Sequence, residues 1–313
     1  MKILFLGYSD FLQRRVIPII VRDFKKMIVG IATKSKKNDP KYKNFYWFDD
    51  YIDAIKRFKP DIVYISLPNA LHFKYGKIVL KNKINLIIDK PMCLKRNNAK
   101  ILIDLALKND LLLSESIIFN HHPQIRKALS LCGGLNKIET LESNFCIPKP
   151  NKGNIKLSYK LGGGVNNDMG PYAAGVVRIF LKKFPNKINV FFNKKNRIIT
   201  DLSVQSKTQN KIVYSYFSFG KEYKNNLIIF TKNKIITVNN VFSPNPFQDT
   251  NIIVKHQNKF KYYKIKKSST FKSFFLIYLK CLKNKNFKYF TADILYDSKF
   301  RDLIDKKLYE KKY

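Results

Sequence analysis

Five short runs that are apolar on both faces recur through the first third of the chain: residues 2–7 (KILFLG), 27–33 (MIVGIAT), 62–67 (IVYISL), 86–89 (LIID) and 111–114 (LLLS). A strand loses the usual in-and-out alternation only when both of its faces are covered, the condition met in a parallel sheet sandwiched between helices. Amphipathic stretches separate the runs, at 50–58, 70–81 and 97–108, the last with Ala99, Leu102, Ile103 and Ala106 on one stripe. This βαβ rhythm predicts an α/β fold that opens with a doubly wound parallel sheet.

After about residue 120 the pattern changes. Segments 138–147, 188–192, 198–204, 211–219, 226–231 and 234–238 alternate and are joined by short polar turns such as TQN and TKNK, which predicts a mostly antiparallel sheet. Helical patterns at 271–282 and 291–309 close the chain. The expected organisation is a doubly wound α/β domain over 1–119 and an α+β domain over 120–313. With 45% apolar residues in 313, the chain can fill two cores, and disorder is excluded as its main state. No apolar run approaches the roughly 20 residues of a membrane span, and the N-terminus lacks a secretory core, so a cytoplasmic protein is expected. Four cysteines without a CxxC pair or histidine partners predict free thiols, with no disulfide and no metal.

The formal charge of +38 raises the question of nucleic acid. Of 60 basic residues only nine are Arg and 51 are Lys, spread over the whole length. Lys is the weaker choice for bidentate phosphate or base recognition, so a solvated Lys-rich surface is expected rather than a nucleic-acid partner. Anionic small molecules would still be attracted.

The first strand ends in Gly7 and leads through a turn into a helix, the arrangement that seats a dinucleotide pyrophosphate on a helix N-terminus. Against G-x-G-x-x-G the chain reads Gly7-Tyr8-Ser9-Asp10-Phe11-Leu12, so only the turn-forming glycine is present. Ser9 places a Cβ where backbone would approach phosphate, with a hydroxyl to offer in exchange, and Leu12 should hold the helix away from the strand. At the end of the second strand Thr33, Lys34, Ser35, Lys36 and Lys37 supply hydroxyls and cations, with no acid before Asp39. A 2′-phosphate suits that set better than a ribose diol, which favours NADP while leaving NAD possible.

Residues 61–72 (DIVYISLPNALH) followed by 83–91 (KINLIIDKP) resemble the central signature of the glucose-fructose oxidoreductase and inositol dehydrogenase family (Gfo/Idh/MocA), in which a strand ends in Pro beside the nicotinamide, a His follows, and a later strand ends in Glu-Lys-Pro. Residues 119–124 (FNHHPQ), 162–172 (GGGVNNDMGPY) and 242–244 (FSP) are similar to further family segments, the last two to its sugar-ketoreductase members. The resemblance implies hydride transfer to or from a sugar carbon, most plainly reduction of a keto group on a nucleotide-linked sugar. It implies that Lys90 binds the reacting oxygen and that Tyr172 donates the proton. Gly7, Ser9, Phe11, Leu12, Thr33, Lys34, Ser35, Leu67, Pro68, Asn69, His72, Asp89 and Lys90 would line the cofactor; Lys90, His122, Asp168 and Tyr172 would line the sugar. His72 is equally well read as a helix cap. Asp168 and Tyr172, four apart, should share one helix face. A homo-oligomer, dimer or tetramer, is expected. Asp89 stands where the family has Glu, Asn120 where Arg is common, and the glycine fingerprint is degenerate; these departures support an alternative, a non-catalytic ligand-binding or regulatory protein on the same fold.

Overall fold

The computed structural model describes residues 1–34 and 39–310. They divide into two compact units, Met1–Ser116 with Phe274–Leu295, and Ile117–Ser273 with Tyr296–Tyr313.

In the first unit the strands are β1 (Lys2–Leu6), β2 (Ile28–Ala32), β3 (Tyr46–Phe48), β4 (Ile62–Ile65), β5 (Asn85–Asp89) and β6 (Leu113–Ser116). All neighbours run parallel, in the order β3-β2-β1-β4-β5-β6. The connecting helices are α1 (Ile17–Asp23), α2 (Tyr51–Phe58), α3 (His72–Lys81) and α4 (Arg96–Lys108). The Asp50 carboxylate caps α2, accepting from the N–H groups of Ile52 and Asp53 at 2.8 and 2.9 Å. Helix α4 buries the stripe expected of it, Ala99, Leu102, Ile103 and Ala106. Strands β1 and β4 are buried almost from end to end, as two helix-covered faces require.

The second unit holds an eight-stranded sheet. Its elements are α5 (Pro123–Cys132), β7 (Ile138–Ile147), α6 (Val165–Asp168), α7 (Gly170–Leu181), β8 (Lys187–Lys195), β9 (Ile198–Thr208), β10 (Lys211–Phe219), β11 (Lys224–Thr231), β12 (Lys234–Asn239), β13 (Thr250–His256) and β14 (Lys259–Ile265). The order is β14-β13-β12-β11-β7-β10-β9-β8, antiparallel except where β7 runs parallel to β10. Helix α5 lies on β12 and β13 and α7 on β7 and β10. Leu141, Ile229, Ile236, Leu202, Val213 and Phe217 form the floor beneath them. Helix α7 is buried from Ala173 to Leu181, so its apolar residues run all round rather than along one stripe.

Two helices, α8 (Thr270–Lys283) and α9 (Thr291–Glu310), end the described chain, within a residue or so of the predicted helices. The sequence places everything after residue 119 in the second domain, whereas Phe274–Leu295 belongs to the first compact unit. The reason is aromatic packing. Phe275 meets the ring of Phe24 edge-on with centroids 5.0 Å apart, and the buried Tyr278 donates its hydroxyl to the Leu112 carbonyl at 3.0 Å. No helix among the described residues is long and apolar enough to cross a membrane, and all four cysteines are buried and unbridged.

In the second unit the Arg178 guanidinium grips Asp297 with two parallel bonds of 2.9 Å, the carboxylate side chain only 2% exposed. Removing one member of such a pair leaves the other charge buried without its partner. Asp297→Ala is expected to cost about 3–5 kcal/mol, read as a lower urea midpoint at unchanged slope; a loss below about 1 kcal/mol would show that the pair behaves like a surface contact.

Candidate active site

Strand β1 lies between β2 and β4, the first reached by one crossover and the second from the opposite side, so the carboxyl end of β1 is the switch point at which open parallel sheets bind ligands. Gly7 sits there with φ of +98° and donates its N–H to the Ala32 carbonyl at 2.8 Å. A Cβ on it would fall 2.4 Å from the Ser66 carbonyl oxygen, which explains why this glycine is kept when the others of the fingerprint are not. The helix that follows opens with a π-helical turn, Leu12–Val16, wider than an α-turn, and Leu12 is wholly buried.

Ser9 does not simply present its hydroxyl outward. Its Oγ accepts from the Leu12 N–H at 3.2 Å and lies 2.6 Å from the Ser66 Oγ. Ser66 in turn donates to Asp89 Oδ2 at 2.6 Å, so its only proton is committed and Ser9 must be the donor to it. The other carboxylate oxygen, Oδ1, accepts from the phenol of Tyr64, whose oxygen is 3.0 Å from the Ser116 hydroxyl. Two hydroxyls at the end of β4 thus meet the carboxylate at the end of β5, and each is joined to a further hydroxyl, Ser9 after β1 or Ser116 of β6. Burial pushes the Asp89 pKa up, opposed by the Ser66 and Tyr64 hydroxyls and by the charges of His72 and Lys90.

The backbone on the far side of Lys90 is held as well. The Lys90–Pro91 peptide is cis. His72, fully buried, has Nδ1 2.8 Å from the Pro91 carbonyl and Nε2 2.7 Å from the Leu67 carbonyl, so its ring links the Leu67–Pro68 bend to the segment after Lys90. Burial pulls its pKa down, while the two carbonyls and the carboxylates of Asp89 and Glu115 act the other way. Glu115 Oε1 accepts the Met92 N–H at 2.9 Å. Lys90 and Asn69 are partly exposed at these strand ends.

At the end of β2, Thr33 is buried and donates its N–H to the Phe48 carbonyl at 2.9 Å. Lys34 places its ammonium 5.7 Å from the Tyr51 ring centroid. Ser35 lies outside the described residues, with Lys36 and Lys37. The first acid, Asp39, accepts from the Tyr8 hydroxyl at 2.6 Å and from the Lys41 N–H, so its carboxylate is occupied. A turn that only glycine permits, a helix start beside it and cationic and hydroxyl groups at the next strand end together fit a dinucleotide.

In the second unit Tyr172 stands at the start of α7, its ring stacked on Phe242 at 4.7 Å and flanked by Phe119 and Phe145 at 5.7 and 5.6 Å. Phe242 is itself fixed by Asn225, whose Oδ1 accepts the Phe242 N–H at 3.0 Å while its amide donates to Ser243 at 3.0 Å. The expected single helix carrying Asp168 and Tyr172 is two helices: α6 ends at Asp168, α7 begins at Gly170, and Met169 between them has φ of −116°. Gly163 packs against the Ile155–Lys156 backbone, where a Cβ would lie 2.4 Å from the Lys156 carbonyl oxygen. That contact delivers Lys156 to Asp168, and the two form an ion pair. His122 is 1% exposed and caps α5, its Nδ1 accepting from the Gln124 N–H at 3.3 Å.

Sequence reasoning did not single out Tyr64, Ser66 or Lys156. A tyrosine in a strand covered on both faces was the available signal, because a buried phenol needs a partner for its hydroxyl. Lys156 carried none in a chain with 51 lysines.

Residues 1–116 match the family model described as "Oxidoreductase family, NAD-binding Rossmann fold", that of Gfo/Idh/MocA. Among the chain's relatives, the dTDP-3,4-didehydro-2,6-dideoxy-alpha-D-glucose 3-reductase of Actinomadura kijaniata is 25% identical over 247 residues, 76% of this chain and 74% of the relative. The D-xylose 1-dehydrogenase (NADP(+)) 2 of Haloferax volcanii is 28% identical over 123 residues, 39% of this chain and 38% of the relative. KijD10, a 3-ketoreductase from Actinomadura kijaniata solved with NADP and TDP-benzene, superposes with a TM-score of 0.89 at 20% identity, covering 98% of this chain and 97% of that one. That enzyme has also been solved with one tyrosine changed to Phe and with one lysine changed to Ala or Glu.

Two histidines at the entry to the second unit make its stability depend on pH. Burial lowers the pKa of both His121 and His122 to about 4. Each is neutral in the fold and takes up a proton near ~6.5 when unfolded, so stability is intact above about pH 6.5 and is lost as pH falls toward 4, by on the order of 2–3 kcal/mol per histidine. Melting temperatures measured from pH 7 to pH 4.5 should fall more steeply for the parent than for His122→Asn. Parallel curves would contradict the assignment of His122 as a buried neutral group.

Proposed function

We propose that this protein reduces a keto group on a nucleotide-linked sugar, using NADPH in preference to NADH, with Lys90 and Tyr172 as its catalytic residues. The observation that carries the reading is that both side chains are presented from fixed supports: Lys90 from a turn pinned by Asp89, His72 and Glu115, and Tyr172 from a cage of three aromatic rings. Bulk packing needs neither arrangement.

The Gly7–Leu12 turn, with Gly7, Ser9, Phe11 and Leu12, would hold the pyrophosphate of the dinucleotide. Thr33, Lys34 and Ser35 would face its ribose 2′-phosphate, and Leu67, Pro68, Asn69, His72, Asp89 and Lys90 would form the nicotinamide side. When bound, the reduced dinucleotide supplies the hydride. The Lys90 ammonium binds the carbonyl oxygen of the sugar and stabilises the negative charge that develops on it. The Tyr172 phenol donates the proton that converts this oxygen to a hydroxyl. Asp168, tied to Lys156, would bind a sugar hydroxyl, and His122 is the further residue read toward the sugar.

The substrate class rests on the reductase relatives, which act on dTDP-linked keto sugars by name, and on the Gly-Pro-Tyr and Phe-Ser-Pro segments that bring Tyr172 and Phe242 together. A homo-oligomer in the cytoplasm completes the reading; Ile212, Tyr214, Phe260 and Tyr262 lie exposed on the sheet face away from α5 and α7, a surface suited to a second copy.

With dTDP-3,4-didehydro-2,6-dideoxy-alpha-D-glucose and NADPH, Lys90→Ala is expected to lower kcat about 10²- to 10³-fold and Tyr172→Phe about 10²-fold or more, while NADPH still raises the melting temperature of both variants. Full activity in both would sink the mechanism. A parent protein whose melting temperature responds to neither NADPH nor NADH would sink the cofactor reading and favour a non-catalytic role.

A further inference from the structure

We infer that Tyr64 and Ser66 are positioning residues of the reaction: their hydroxyls hold Asp89 as a carboxylate at the end of β5, and Asp89 in turn places and keeps charged the ammonium of Lys90. The inference rests on the role of Lys90 proposed above.

Three features of the first unit support it. Burial raises the Asp89 pKa, and against it Asp89 receives one O–H donor on each carboxylate oxygen, from Tyr64 and from Ser66, which favours the ionised form. Each of these hydroxyls has a second hydroxyl within hydrogen-bond distance, Ser116 at 3.0 Å from Tyr64 and Ser9 at 2.6 Å from Ser66, which fixes where the two side chains sit. The Asp89 side chain reaches back to β4, where Tyr64, wholly buried with its ring 5.7 Å from that of Phe5, meets it. Other charged groups act on Asp89 from its surroundings: His72 from α3 and Lys90 beside it lower its pKa, while Glu115 from β6 faces His72. Lys90 therefore extends from a residue whose charge and position are set by two hydroxyls of the neighbouring strand.

Tyr64→Phe keeps the ring and removes one donor; Ser66→Ala removes the other with the smaller change in shape. An O–H donor favours the ionised carboxyl, so each variant raises the Asp89 pKa. The experiment follows the carboxyl resonance of Asp89 in protein labelled with ¹³C-aspartate, assigned by its loss in Asp89→Asn, together with the Cε resonance of Lys90 and the pH profile of kcat with NADPH and the dTDP-linked keto sugar. The expected result is an Asp89 titration moved up by about one pH unit or more in both variants. The acidic limb of kcat should move with it, with KM and NADPH affinity within threefold of the parent. Asp89→Asn should lower the Lys90 pKa and abolish that limb. The inference is overturned if Ser66→Ala and Tyr64→Phe leave the Asp89 titration in place, or if the limb stays fixed while the titration moves. A parent enzyme that does not reduce the sugar refutes the proposed function instead, and in that case the inference stands or falls on whether Asp89→Asn shifts the Lys90 titration.

Discussion

Parallel pairing of β1 with both β2 and β4 is the constraint from which the rest of the first unit follows. It forces each of these strands to be covered on two faces, and it opens a crevice at their carboxyl ends. It also leaves Gly7 pressed so close to the Ser66 carbonyl that no other residue fits. Ser9 turns its hydroxyl inward to Ser66, and the helix begins with a wider π-turn above the buried Leu12.

The same crevice explains why so much polar chemistry is tolerated in a buried place. Five side chains from β1, β4, β5 and β6 form one connected hydrogen-bonded group around Asp89, and a second set, His72 and Glu115, holds the backbone after Lys90. A buried polar network is favourable only when its members are paired, and paired members fix a single geometry. In the second unit the corresponding rigidity comes from aromatic rings, which hold Tyr172 by packing rather than by charge. The two units thus use different physics to fix these segments, a hydrogen-bonded network around Asp89 in the first and ring packing around Tyr172 in the second.

Much of this was legible in the sequence because it was periodic or local. Runs apolar on both faces marked the buried strands, the 97–108 stripe marked α4, and the segments around Lys90 and Tyr172 carried the family resemblance. What escaped was set by distance along the chain. Tyr64 and Asp89 are separated by 25 residues and Lys156 and Asp168 by 12, and nothing in composition links them. The break at Met169 was hidden because Asp168 and Tyr172 keep helical spacing even though α6 and α7 are separate helices. Phe274–Leu295 was assigned to the second domain because it follows it in sequence, whereas its aromatic residues pack with those of the first.

The central claim, that a reduced dinucleotide delivers hydride to a ketone carbon of a nucleotide-linked sugar on this protein, is tested most directly by following the transferred atom. The protein is incubated with the keto sugar and NADPH carrying deuterium at both C4 positions, and the product is examined by mass spectrometry and NMR. The account predicts one deuterium on the new carbinol carbon for each NADP formed. Sugar recovered unlabelled, with the dinucleotide still reduced, would contradict it.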